Sequence, residues 1–231
     1  MLSPEEIQEM TLDLDTPFQF KCRSCGKCCK DRHDIILKSR DIFRIAQYLK
    51  LSTKEVLARY CCVSLGPNSK LPVVTLQAVG ATQHCPFMEN RKCAVHPVKP
   101  EVCALYPLGR YISPNDDAGE IKYLLQPMSC GGVSKTHTVR SWLARFNIPV
   151  NDRFYVSWTT ILSTMSLAMQ ALIQQTPAQE QLAFYYLLRE MLYENYQTDL
   201  DFDWQFQRNM RVLADTVKKL VEEGLEPHGK E

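Results

Sequence analysis

Four thiols fall within eight residues of this chain, in the run Lys21-Cys22-Arg23-Ser24-Cys25-Gly26-Lys27-Cys28-Cys29-Lys30. Cysteines that serve only as small core residues scatter through a sequence. These recur every third position among basic and polar neighbours. A C-x2-C-x2-C-C spacing lets one short loop aim successive sulfurs at a single centre, as in zinc knuckles and in the cysteine runs that hold iron–sulfur clusters. Gly26, directly after Cys25, suits a tight turn whose backbone N–H groups point at thiolates. A stretch like this predicts a metal site, and the rest of the fold has to present it.

A second group lies about sixty residues on, between His84 and Pro107, where Cys85, Cys93 and Cys103 sit among Pro86, Pro97 and Pro100. Proline fixes φ and removes backbone donors, so this segment reads as a rigid loop that presents thiols. Cys130, before Gly131-Gly132, supplies an eighth. The candidate ligands are therefore Cys22, Cys25, Cys28, Cys29, Cys85, Cys93, Cys103 and Cys130. Eight thiols suit two tetrahedral sites, or one cluster plus a zinc, and one four-ligand site with spare thiols stays open. The adjacent pair Cys28-Cys29 is expected to diverge if its backbone is extended, each sulfur then serving a different metal. Cys61 and Cys62 fall outside any ligand spacing and read as buried small hydrophobes.

The chain carries ten cysteines, and its first residues show neither a basic n-region nor an apolar h-region. That combination predicts metal ligation rather than disulfides, and a cytoplasmic location. No uninterrupted run of about 18 apolar residues occurs, so no membrane association is expected. Net charge is +1, which implies no polyanionic partner, and nucleic acid is not expected. Residues 21–70 nevertheless hold twelve Lys or Arg against four acids. Cations such as Arg23, Lys27, Lys30 and Arg32 lower thiol pKa values and balance a negative metal–thiolate centre.

The chain reads as α+β. A small loop-rich cysteine domain, residues 1–137 with its core at 18–132, combines short strands with two helices. A helical region, 138–231, follows. Residues 1–20 read as a polar arm ending in extended Pro17–Phe20. A helix opens at Ser39, with Ile42, Ile45, Ala46 and Leu49 on one face, and a shorter one follows Ser52-Thr53 through Val56, Leu57 and Tyr60. Strands are expected at Val73–Val79 and Ile121–Leu125, the second after a Ser113–Asp116 turn. Later helices are expected at Val139–Phe146, Phe154–Gln174, Ala178–Tyr196 and Trp204–Glu223. The stripe Phe184, Leu187, Leu188, Met191 and Leu192 reads as core or as a dimer interface.

The ordered motifs bring a family into view. The CxxCxxCC run, the Cys85-Pro86-Phe87 element, then Cys93, Lys99-Pro100, Cys103 and Pro107, and a late Cys130-Gly131, resemble the YkgJ-type cysteine-cluster family of zinc- or iron-chelating domains. The helix with Asp41-Ile42, Arg44-Ile45-Ala46 and Tyr48-Leu49 is similar to that family's as well. The resemblance covers roughly residues 18–132. Where the family usually has arginine before Pro100 and after Cys103, this chain has Lys99 and Ala104.

Ligand type does not separate zinc from iron–sulfur. The knuckle-style Cys25-Gly26 and the nearby His84 and His96 speak for zinc. The C-x2-C-x2-C near-repeat and the remote Cys85-Pro86 speak for an iron–sulfur cluster, which is the favoured expectation. The corresponding function is a cysteine-rich metalloprotein that binds an iron–sulfur cluster, zinc or both through its two cysteine groups, with a redox or electron-transfer role. The alternative is a zinc-stabilised interaction module without catalysis, whose helical C-terminal half meets a protein partner or a second copy of the chain. Enzymatic activity is left open. A metal with a vacant position could be lined by Tyr106, Arg110 and Tyr111, but no nucleophile–base pair stands out, and Asp116-Asp117 reads as a turn.

Overall fold

The computed structural model describes residues 3–23, 26–30, 34–112, 119–128 and 130–225. Cys25, Arg32, the Ser113–Asp116 turn and Asp116-Asp117 lie outside them. In chain order the elements are α1 (Pro4–Met10), β1 (Thr11–Leu12), β2 (Pro17–Lys21), a 3-10 turn (Lys27–Cys29), α2 (Ser39–Leu49), α3 (Thr53–Tyr60), β3 (Cys61–Leu65) and β4 (Pro72–Leu76). There follow β5 (Met88–Glu89), β6 (Lys92–Cys93), a 3-10 turn (His96–Val98), α4 (Glu101–Leu105), β7 (Leu108–Ile112), β8 (Ile121–Leu125) and β9 (Gly132–Thr138). Then come α5 (Val139–Arg145), α6 (Arg153–Gln175), α7 (Ala178–Arg189), a π turn (Glu190–Glu194) and α8 (Phe202–Glu222). The fold is α+β with a helical C-terminal half.

The contacts of the chain form two compact units that interleave along it: residues 1–32 with 78–156, and residues 33–77 with 157–231. The sequence suggests one cut after residue 137. It separates these pieces differently because α2 and α3 follow the cysteine run in sequence but bury their apolar faces among the C-terminal helices.

In the first unit, β1, β8 and β7 form an antiparallel sheet, and β2 pairs with β9 as a separate antiparallel ribbon. β2 alternates strictly, Phe18 and Phe20 inward and Gln19 and Lys21 outward, the period of two that a half-buried strand requires. Phe18 and Phe20 meet Trp142 of α5 edge-on, at 6.0 and 5.6 Å between ring centroids. The Trp142 indole N–H donates to the Leu105 carbonyl at 3.0 Å, so its buried donor is satisfied where α4 ends. Leu108, Tyr123, Val139 and Leu143 complete this core. The polar arm is helical in its first part. Ser3 accepts from the Glu6 N–H while the Glu6 carboxylate receives the Ser3 N–H, a capping box ahead of Pro4 at the first helical position.

Arg110 of β7 is buried in the same unit, with its side chain 2% exposed. Its guanidinium pairs with Glu101 of α4 and, at 3.0 Å, with Asp152. The Tyr155 ring lies 3.8 Å from its Cζ, and the Tyr155 hydroxyl donates to the Arg110 carbonyl at 3.0 Å. Nε and Nη1 find no acceptor among the described residues, and the aromatic face serves them instead.

In the second unit, α2 starts at Ser39 with Lys38 as N-cap, and the Asp41 carboxylate accepts from the Lys38 N–H. Ser52 caps α3 in a capping box with Glu55. β3 and β4 form a hairpin, so Cys61 and Cys62 are strand residues whose side chains alternate: Cys61 is buried as expected, whereas Cys62 faces out and is exposed. The helix expected over 178–196 ends as α-helix at Arg189 and widens into the π turn, where the Asn195 N–H reaches the Glu190 carbonyl. Side chains take up the orphaned carbonyls. Buried Asn209 donates to Met191 and Asn195, Thr53 donates to Glu194, and buried Gln205 spans Gln197, Leu200 and Asp201. Of the stripe, Phe184, Leu188, Met191 and Leu192 are core, and Leu187 is half-buried. Among the described residues, α6 alone is long and apolar enough to cross a membrane by length and composition. Its Trp158, Met165, Ala168, Met169 and Leu172 are buried within the protein.

Candidate metal centre

The β2–β9 ribbon brings the first and the last of the candidate ligands to one end. Lys21 pairs with Gly132, so Cys22 leaves β2 at the end where Cys130 enters β9. Two glycines make the approach possible. A Cβ at Gly131, which has φ of +95°, would stand 2.3 Å from the Phe20 ring. A Cβ at Gly132 would meet the Arg23 guanidinium at 3.0 Å. The Cys130 thiol donates to the Tyr106 hydroxyl at 3.8 Å, and Tyr106 in turn meets Phe20 edge-on. Tyr106 follows α4, the short helix that carries Cys103.

The middle of the run is a 3-10 turn. Gly26 starts it with φ of +70°, and the Cys29 N–H returns to the Gly26 carbonyl at 3.0 Å. The sequence expectation that Cys28 and Cys29 diverge applies to an extended backbone. On the 3-10 turn their sulfurs stand 3.9 Å apart. The Cys85 N–H donates to the Cys29 carbonyl at 2.8 Å, and Lys30 bridges to His84. Beyond Cys85, the β5–β6 hairpin pairs Met88 with Cys93, and the Ala94 N–H closes on Phe87 at 2.8 Å. Backbone hydrogen bonds thus clamp Cys28, Cys29, Cys85 and Cys93 into one neighbourhood. Met88 covers it, its sulfur 3.4 Å from where a Gly26 Cβ would stand.

The electrostatics bear the marks of crowded thiols. The Cys29 thiol is pushed far above its ordinary pKa, first by its hydrogen bond with Cys28, then by burial, then by charge on Cys28, Cys85 and Cys103. Burial raises Cys85, against which the Phe87 N–H stabilises the thiolate. Burial likewise raises Cys93, with the Val95 N–H and Lys99 opposing it. In both cases the opposing amide lies two residues after the sulfur. Lys99 is half-buried with its ammonium 4.3 Å from the Phe146 ring centroid, and burial pushes it down while Cys103, Cys22, Cys93 and Cys28 pull it up. That one cation therefore lies within the field of four sulfurs drawn from both cysteine groups.

This donor set fits zinc or iron. It is made of thiols, it has backbone N–H groups aimed at two sulfurs, and it includes a half-buried counter-cation. The nine described cysteines carry thiols and no disulfide joins them. No three His, Cys, Asp or Glu side chains among the described residues already stand at positions that could hold one ion, and Cys25 is outside that set. Binding such a metal displaces the thiol protons that burial and mutual repulsion hold in place here.

Other sequence candidates have different placements. Arg110 is engaged by Glu101 and Asp152, and the Tyr111 hydroxyl meets Thr11 Oγ1 at 3.1 Å, so neither is poised to line a vacant metal position. His84 Nδ1 meets Thr82 Oγ1 at 3.2 Å. Burial, followed by Lys99 and Arg145, pushes the His96 pKa down. Lys99 was legible only as the basic residue before Pro100, and nothing local in the sequence announced Met88 or Phe146.

Cys61 and Cys62 belong to the other compact unit. Cys61 is buried and its pKa is pushed up to about 12, by burial first and then by Cys62. An ordinary thiol of pKa about 8.5 is roughly a quarter ionised at pH 8, whereas one near 12 is ionised about once in 10⁴, a ratio of roughly 10³. Cys61 in the native protein is expected to alkylate at least about a thousandfold more slowly than an ordinary exposed thiol, such as that of a small-molecule standard, read by peptide mass spectrometry. Because the folded pKa is the raised one, the stability that this thiol contributes is complete below the unfolded value. It is lost as pH rises from there towards about 12. Cys61→Ser is expected to leave metal content unchanged.

Residues 21–131 match the family model described as "CxxCxxCC: Putative zinc- or iron-chelating domain". An uncharacterized protein of Methanocaldococcus jannaschii is 34% identical over 90 residues, which are 38% of this chain and 44% of that protein. The chain thus spans less than half of that relative's length. No solved structure matches the chain.

Proposed function

We propose, from the match of residues 21–131 to the zinc- or iron-chelating family, that this chain is a metalloprotein whose thiolates bind zinc or iron and thereby order its cysteine loops. The ligands are drawn from Cys22, Cys25, Cys28, Cys29, Cys85, Cys93, Cys103 and Cys130. The observation that carries this reading is the meeting of the two cysteine groups, the Cys85 N–H bonded to the Cys29 carbonyl. Loops with two-residue strands and few buried apolar side chains gain from a metal what a core would otherwise supply. Lys99 offsets the negative charge that several thiolates leave on a divalent ion.

An iron–sulfur cluster with an electron-transfer role is the second reading. It draws on the amides of Phe87 and Val95 aimed at Cys85 and Cys93, since hydrogen bonds to sulfur tune cluster potentials. Metal analysis and an absorption spectrum of protein purified anaerobically distinguish the two. Iron with acid-labile sulfide and broad visible absorbance supports the cluster. Zinc or iron without sulfide supports the simple chelate. Protein that holds neither metal, and takes up neither after reduction, overturns both.

A further inference from the structure

The pair Cys28-Cys29 offers more than two of eight donors. A metal bound by thiolates at about 2.3 Å in tetrahedral geometry holds any two of those sulfurs about 3.8 Å apart. The Cys28 and Cys29 sulfurs already stand 3.9 Å apart, on a 3-10 turn closed by the Cys29 and Lys30 amides. The positive φ of Gly26 and the Cys85 amide on the Cys29 carbonyl hold that turn from both sides.

We infer that Cys28 and Cys29 chelate the same metal ion as a vicinal pair, forming one edge of a tetrahedral thiolate site. The inference rests on the proposed metal binding and adds the type of centre. A four-iron cubane takes one cysteine per iron, so a vicinal pair on a single ion selects a mononuclear site or one iron of a two-iron cluster. Cys85 and Cys93, whose backbone is clamped beside the pair, are the candidates for the remaining two corners, and their side chains have to move in to reach an ion held by the pair.

The test uses the full-length wild-type protein loaded with 113Cd²⁺, a tetrahedral thiolate-seeking probe. Proton–cadmium correlation connects the β protons of each ligating cysteine to its own cadmium resonance. The expected result is that Cys28 and Cys29 both correlate with one cadmium frequency. Correlation with two different frequencies overturns the vicinal pair while leaving metal binding intact, and so does a pair in which one member shows no cadmium coupling. Protein that binds no cadmium, zinc or iron overturns the underlying metal reading instead. With iron and sulfide, assembly of a four-iron cluster that is lost in both Cys28→Ser and Cys29→Ser also overturns the pair.

Discussion

Arg110→Met is expected to destabilise the protein by roughly 3–5 kcal/mol, the cost of breaking a buried ion group by removing one partner. Glu101 and Asp152 are as deeply buried as the arginine between them. Without the guanidinium, two carboxylates share a site that water reaches poorly, and Tyr155 loses the cation it covers. The measurement is the denaturant midpoint of wild type and variant, followed by β-sheet and near-ultraviolet aromatic signals. Adding Glu101→Gln and Asp152→Asn to Arg110→Met should recover much of the loss, because uncharged amides are cheaper to bury than unpaired carboxylates. An unchanged midpoint for Arg110→Met would show that the triad is incidental. Glu101 and Cys103 share α4, so the same variant should also weaken metal retention in competition with a chelator.

Stripping the metal is expected to loosen the cysteine loops far more than the helical unit. Structural zinc contributes on the order of 10–16 kcal/mol to small thiolate domains, and loss of even a third of that speeds exchange from locally opened amides by roughly 300-fold to 8,000-fold. The amides to watch are those of Cys85, which joins the two cysteine groups, of Cys29, which closes the 3-10 turn, and of Ala94, which closes the β5–β6 hairpin. The controls are the β3–β4 amides and those around Asn209, which lie in the other compact unit. Hydrogen exchange with and without chelator, both under reducing conditions, reads the two sets in one experiment. Equal protection at Cys29, Cys85 and Ala94 in both states would mean that the loops stand without an ion.

Periodicity made most of the helical half legible. The stripe through Phe184, Leu188, Met191 and Leu192 is core because 3.6-residue spacing leaves it no other face to occupy. The π turn that ends it was not legible, since its cause lies in the side-chain amide of Asn209 and the hydroxyl of Thr53, distant in sequence. The approach of Cys29 to Cys85 was not legible from spacing, whereas the extended character of Pro17–Phe20 was. Its partner strand β9 mixes the strand formers Val133, Thr136 and Thr138 with Gly132, Ser134 and Lys135, so its place is fixed by long-range pairing more than by local propensity. The geometry of Cys28-Cys29 depended on a single backbone choice, 3-10 or extended, which residue types do not settle. The grouping of α2 and α3 with the C-terminal helices is likewise a tertiary fact, visible only when Phe43 meets Phe202 at 5.2 Å.

The pairing of β2 with β9 places the opening thiol beside the last, although Cys22 and Cys130 lie 130 − 22 = 108 residues apart in the chain. At about 5–20 residues per second on the ribosome, the first cysteines emerge roughly 5–20 seconds before the strand that closes their ribbon exists. During that interval a nascent chain presents nucleophilic sulfurs without the tyrosine, lysine and glycine neighbours that later enclose them. Metal delivered early would meet an incomplete set of donors, and an oxidant would meet accessible thiols. The order of synthesis thus gives the cell a reason to load this protein late, after Gly132 has left the ribosome, and to keep the emerging run reduced until then.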